Sequence, residues 1–429
     1  MKQSTPDLNA AIAHPKRMDP RAKIAGSFGI AFGFFAGTGV SGLSMALAIV
    51  GAWGLIYGLF ARDRTLDKAF VRGLKSHGWV WLALALFASW TLLTALWSPA
   101  TELAGETVRR LGALSVMGPI AIWVVYSCQG FDRLIAQRGI VAGVFLSLFL
   151  LGFDTLNHYA MNKIASPGKV DLAIDGDMGR AASATLTLFW VGYACLHQQL
   201  VETRVRVALA VLALFIALQF GTDLNAVGLL AGTIGALFAL RFPKTAIGLV
   251  TGGAAVLLAG APVIYALLAR FTLGLAPEGE LPLSYGRRAQ MWEVAVQLIE
   301  QKPLAGWGLG ATSLFDRPIT YGGLEWPLIQ LHPHAAPLHI WVETGGIGAF
   351  LAAITVVLAG GAAIKVFGRY RVATAALVGG LTFLTLSWGF SHAAWREWVW
   401  TSFVALLAFS FTLRNPRRWG LRMRAHRAL

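Results

Sequence analysis

Three of the nine histidines fall within eight residues, in Leu331-His332-Pro333-His334-Ala335-Ala336-Pro337-Leu338-His339. A neutral imidazole near pH 7 can take a proton from a hydroxyl or bind a metal, so such a cluster suits either task. H-x-H with no nearby cysteine is a weak metal pattern, and Pro333 stiffens the backbone between its members. Glu343 follows four residues after His339. Placed inside an apolar segment, it is a carboxylate that could orient a histidine, bridge to an arginine or make a structural hydrogen bond. Upstream, Arg287 and Arg288 adjoin in a stretch whose apolar residues Met291, Trp292, Ala295, Leu298 and Ile299 recur at helical spacing. The pattern predicts an amphipathic helix over about 286–301, ended by Pro303, with the arginine pair in its first turn. Cationic side chains there oppose the helix dipole, and an anion would offset this. Earlier still, Asp175-Gly176-Asp177 reads as a turn or a metal–diphosphate motif. Arg180 follows it, paired with one of those aspartates or with an anionic partner.

Long apolar segments must position these groups. Of 429 residues 56% are apolar and 13% charged, about half the charge of a soluble domain. Apolar runs near or beyond the roughly 18–20 residues that cross a bilayer recur along the chain. The expected fold is an all-α polytopic membrane protein, because the runs are continuous rather than alternating. Twelve spans are expected: a hairpin of two over about 26–60, then about 78–97, 111–127, 139–156, 183–199, 207–220, 226–240, 246–267, 337–363, 372–390 and 397–413.

The net charge of +15 sits between apolar segments and at both ends rather than on one soluble domain. That excludes a nucleic-acid binder and reads as a topology signal, with both termini cytoplasmic. The expected organisation is a cytoplasmic tail over 1–25, spans over 26–267 with an outer loop at 157–182, a large outer loop over 268–336, spans over 337–413, and a basic tail over 414–429 that faces membrane lipid. Two cysteines, Cys128 and Cys195, read as free thiols.

The stretch from Ser284 to Gly348 resembles the signature region of the O-antigen ligase and polymerase superfamily. The residues that carry the likeness are Arg288, Trp292 four positions on, Pro303-Leu304-Ala305-Gly306-Trp307-Gly308, then His334, Leu338, Glu343, Gly345 and Gly348. Ala335 departs from the family pattern, which has Asn, Ser or Gln there, so His332 or His339 could share the part of His334. The resemblance implies a GT-C-like glycosyltransferase of the inner membrane, working at the periplasmic face. Its donor would be O-antigen on undecaprenyl diphosphate and its acceptor a sugar hydroxyl of lipid A–core. It also implies His334 and Arg288 as catalytic residues. Arg180, Arg287, His332, His339, Glu343 and Trp292 are the substrate-binding candidates, Arg180 by position only.

The chemistry fits these residue types. Arginines in a low-dielectric niche stabilise a departing diphosphate, and a neutral histidine deprotonates the acceptor hydroxyl. With two or three arginines on the diphosphate a metal is dispensable, so no cofactor is expected and the transfer inverts the anomeric carbon. The alternatives are an O-antigen polymerase or a protein O-oligosaccharyltransferase with the same donor. A secondary transporter is a poorer fit, because the unusual charge collects on an outer loop rather than at the bilayer midplane.

Overall fold

The computed structural model describes residues 19–60, 65–165, 167–168, 170–220, 223–275, 281–315, 318–321, 324–327 and 332–414. Most of both expected tails, and short pieces of the large loop, lie outside the described residues. The first ten helices are α1 (Pro20–Gly37), α2 (Leu43–Phe60), α3 (Thr65–Thr94), α4 (Thr101–Ser127), α5 (Phe131–Leu156), α6 (Ala160–Ala165), α7 (Asp171–Thr187), α8 (Phe189–Gln198), α9 (Thr203–Gln219) and α10 (Asp223–Arg241). After them come α11 (Pro243–Ala259), α12 (Ala261–Leu273) and α13 (Leu283–Gln301), an antiparallel hairpin of β1 (Pro318–Tyr321) and β2 (Leu324–Pro327), then α14 (Ala336–Phe367), α15 (Arg371–Phe390) and α16 (Glu397–Thr412).

Each expected apolar segment is helical. By length and apolarity alone seven helices among the described residues qualify as spans: α2, the part of α3 from Val71, α4, α5, α10, α14 and α15. A bent pair raises the number to eight, and α16 is a shorter apolar helix. α1 is diluted by Arg21 and Lys23, and α7 carries three aspartates and Arg180, so neither meets that measure.

Helices α1 and α5 pack backbone to backbone. A Cβ on Gly33 would lie 1.9 Å from the Gly143 carbonyl oxygen, so only glycine permits this approach. The other departure from expectation is the segment 246–267, read as one span. It breaks at Gly260, where α11 and α12 meet at 84°. The cause is Pro262, which has no N–H for the carbonyl of Leu258 and whose ring blocks a continuous helix. The indole of Trp341 donates to that carbonyl instead, at 2.7 Å, which ties the bend to α14.

Candidate active site

Helix α14 is interrupted at Gly345, whose φ of +64° and ψ of −172° take it out of the helix. The break removes the helical bonds from Gly346 to Val342 and from Ile347 to Glu343. The Pro303–Gly308 segment satisfies all four freed groups. Trp307 N–H donates to Val342 O at 2.8 Å and Gly308 N–H to Glu343 O at 2.9 Å. In return Gly346 N–H donates to Pro303 O at 2.8 Å and Ile347 N–H to Leu304 O at 3.2 Å. Two motif pieces distant in sequence are thus one hydrogen-bonded unit.

Gly345→Ala is expected to disrupt this unit. Its Cβ would fall 2.2 Å from Leu304 O, on a left-handed backbone. The conformation, in a region essentially reserved for glycine, costs about 1–3 kcal/mol and the overpacking about 1–3 kcal/mol. A lowered thermal midpoint of the purified protein checks this; an unchanged midpoint with full activity would refute it.

The three histidines precede or open α14, and their hydrogen bonds fix where each proton sits. His334 Nδ1 lies 3.0 Å from Ser391 O. A carbonyl only accepts, so Nδ1 carries the proton and Nε2 keeps its lone pair. His334 has φ +50°, a strained setting for a non-glycine residue, and its own N–H donates to His332 Nδ1 at 3.2 Å. His332 therefore has its proton on Nε2. Its ring lies 4.5 Å from that of His334 and 6.1 Å from that of His339. Ala335, where the family has a polar residue, is the N-cap of α14 without a side-chain cap. The contacts to Ser391 and His332 orient His334 in its place.

His339 accepts from Ala394 N–H at Nδ1, 3.2 Å away, and its Nε2–H donates to Glu343 Oε1 at 3.0 Å. Glu343 also takes Thr312 Oγ1 at 2.8 Å, Thr312 N–H at 3.2 Å and the Trp395 indole at 2.7 Å. His339 and Glu343 are 4% and 1% exposed. Trp292 is 8% exposed, with its ring edge-to-face against Tyr265 and Phe390 at 5.1 and 6.3 Å. These three side chains are engaged in packing and hydrogen bonds within the protein. Both nitrogens of His339 are committed. Of His334 and His339, the former keeps a lone pair at Nε2 and the latter has none to give.

Charge gathers around His334. Burial first, then the guanidinium of Arg288, with Arg287 and Arg180 adding, holds its pKa down to about 4, against the rise from the Ser391 carbonyl. His332 is likewise pushed well below the usual imidazole range by burial, then by His334 and His339. Helix α13 starts three residues earlier than expected, so Arg287 and Arg288 occupy its second turn rather than its first. Pro282 caps it without a side-chain acceptor, and its first turn has no acidic residue.

Arg180 comes from α7, which begins within the expected loop 157–182. Asp175 and Asp177 are therefore helical, and two residues apart they point about 200° away from each other. Asp175 accepts from Tyr159 Oη at 3.0 Å, while Asp177 pairs with Arg180 at 2.6 Å. They do not converge on one cation, and no group of three metal-ligating side chains occurs among the described residues. Arg180 is 45% exposed, so its ion pair is weak and can yield to a stronger anion.

Sequence reasoning missed the connector 391–396 between α15 and α16, which supplies Ser391, His392, Ala394, Trp395 and Arg396 to this neighbourhood. The signal was present as four polar or aromatic residues in Ser391-His392-Ala393-Ala394-Trp395-Arg396 between two apolar segments.

Taken together, the chain is an all-α multi-pass membrane protein in which the charges of arginines from two segments help to keep a histidine beside a broken helix neutral. Residues 188–353 match the O-antigen ligase family, within the superfamily whose signature the sequence resembles. The matched region holds Arg288, His332, His334, His339, Glu343 and Gly345; Arg180 and the 391–396 connector lie outside it. No curated protein matches the chain.

Proposed function

We propose that the protein transfers O-antigen from undecaprenyl diphosphate to a sugar hydroxyl of lipid A–core at the periplasmic face of the inner membrane. Its architecture is then GT-C-like, with twelve passes and both termini in the cytoplasm. The observation that carries the reading is His334, with an unprotonated Nε2, inside the field of Arg180, Arg287 and Arg288. The acceptor hydroxyl gives its proton to that Nε2 as its oxygen bonds to the anomeric carbon. The bond from that carbon to the diphosphate breaks, and its electron pair leaves with the polyprenyl diphosphate. Attack opposite the leaving group inverts the anomeric centre. Guanidinium groups fixed where negative charge grows stabilise the transition state more than the ground state. His339 and Glu343 position the cleft through the connector and Thr312, without touching substrate.

The test is purified protein with lipid-linked glycan and lipid A–core, in EDTA. Glycan joined to core with inverted linkage is the expected product. Longer lipid-linked chains in the absence of core would make it a polymerase. Loss of all activity in EDTA, restored by Mg²⁺ or Mn²⁺, would refute the metal-free mechanism.

A further inference from the structure

The connector 391–396 is pinned to the motif residues along its length. Ser391 O holds His334 Nδ1 at 3.0 Å, and Ala394 N–H holds His339 Nδ1 at 3.2 Å. The Trp395 indole donates to Glu343 Oε2 at 2.7 Å, and Ala394 O accepts from the Trp400 indole at 2.9 Å. The side chains of His392 and Arg396 take no part in this pinning.

His392 stands edge-on to Trp398, ring centroids 4.6 Å apart. Its Nε2 is shielded from solvent and has no hydrogen-bond partner among the described residues. Arg396 is half-buried and forms no ion pair among the described residues. The neighbouring Glu397 turns instead to Arg110, 3.5 Å away. Asp177, the other acid near Arg396, pairs with Arg180.

The field at these two residues is cationic. Burial first, then His334, Arg180, Arg288 and Arg396, press the proton off His392, so it is a neutral imidazole. Burial and the charge of Arg180 also weaken the hold of Arg396 on its proton, with Arg110 adding and Glu397 and Asp177 opposing. A shielded imidazole nitrogen without a partner and an unpaired guanidinium beside other guanidiniums both cost folding free energy. A multiply charged anion relieves both, because it accepts hydrogen bonds from Nε2–H and from the guanidinium fork.

Resting on the donor named above, we propose that the α15–α16 connector is a third arm of the anion cradle. Arg396 and the Nε2–H of His392 grip the diphosphate beside Arg180 and Arg288. A cradle of this reach recognises two linked phosphates better than one.

The test uses the full protein in nanodiscs of neutral lipid, with undecaprenyl diphosphate and undecaprenyl monophosphate as probes. Arg396→Gln and His392→Phe, the latter keeping a ring against Trp398, are each expected to weaken diphosphate binding about tenfold, the effect of losing one charge-assisted hydrogen bond. Monophosphate binding should change less, and Arg396→Lys should recover part of the loss. Equal losses for both probes would assign the two residues a structural role and overturn the proposal. So would undiminished diphosphate binding in Arg396→Lys, Arg396→Gln and His392→Phe while Arg288→Gln has lost it, an outcome that leaves the donor assignment standing. Failure of the unsubstituted protein to bind undecaprenyl diphosphate would sink the donor assignment itself.

Discussion

His334→Ala is expected to slow glycan transfer about 10²–10⁴-fold, the range for removal of a general base. Donor affinity should hardly change, because Nε2 works on the acceptor. The pH dependence carries a second signature. With its pKa held down to about 4, His334 stays neutral through the physiological range. The acid limb of kcat/KM, which reports the free enzyme, should therefore lie far below the ordinary histidine value of about 6.5. A bound diphosphate cancels the charges of Arg288, Arg287 and Arg180 that depress His334, so its pKa rises in the complex. The acid limb of kcat should accordingly sit above that of kcat/KM. His339→Gln is the contrast. Both nitrogens of His339 are committed to Ala394 and Glu343, so its loss should lower the thermal midpoint along with the rate and leave the acid limb in place. Normal transfer by His334→Ala, or an acid limb unmoved between kcat and kcat/KM, would remove His334 from the role of base.

Arg288→Gln should lower kcat about 10²–10³-fold, as loss of a preorganised donor at a developing anion does. Lysine should rescue poorly, because an ammonium is a point charge without the planar fork that holds two phosphate oxygens. Of the guanidiniums around His334, that of Arg288 acts on it most strongly. Removing it should also raise the pKa of His334 and shift the acid limb of kcat/KM upward, a coupling that a merely structural arginine would not produce. Steady-state kinetics of Arg288→Gln and Arg288→Lys across pH read both effects. Full activity of Arg288→Lys would show that charge alone suffices.

Helix breaks and proton positions were legible in the sequence to different degrees. Gly306, Gly308 and Gly345 stood out as glycines at motif spacing, yet nothing local said that they face one another. The break in α14 is repaired by a segment that ends more than thirty residues upstream. The bend at Gly260 followed from Pro262, a local signal passed over because the run around it is apolar throughout. Glu343 looked like a substrate residue because an intramembrane carboxylate is costly. Its donors arrive from Thr312 and Trp395, at separations that periodicity does not report. Asp175 and Asp177 read as a pair only while their segment was taken for a loop; on α7 they diverge.

The sequence by itself determined the membrane character, the helical segments and the identity of the groups able to do chemistry. Those depend on apolar run length and on residue type, which are local properties. The tertiary structure decided that His339 has both ring nitrogens committed while His334 keeps Nε2 open, and that Arg180 and Arg288 act on the same histidine. A proton sits where its hydrogen-bond partners put it, and a pKa answers to every charge nearby in space. Those partners come from α7, α13 and the α15–α16 connector, brought together only by packing.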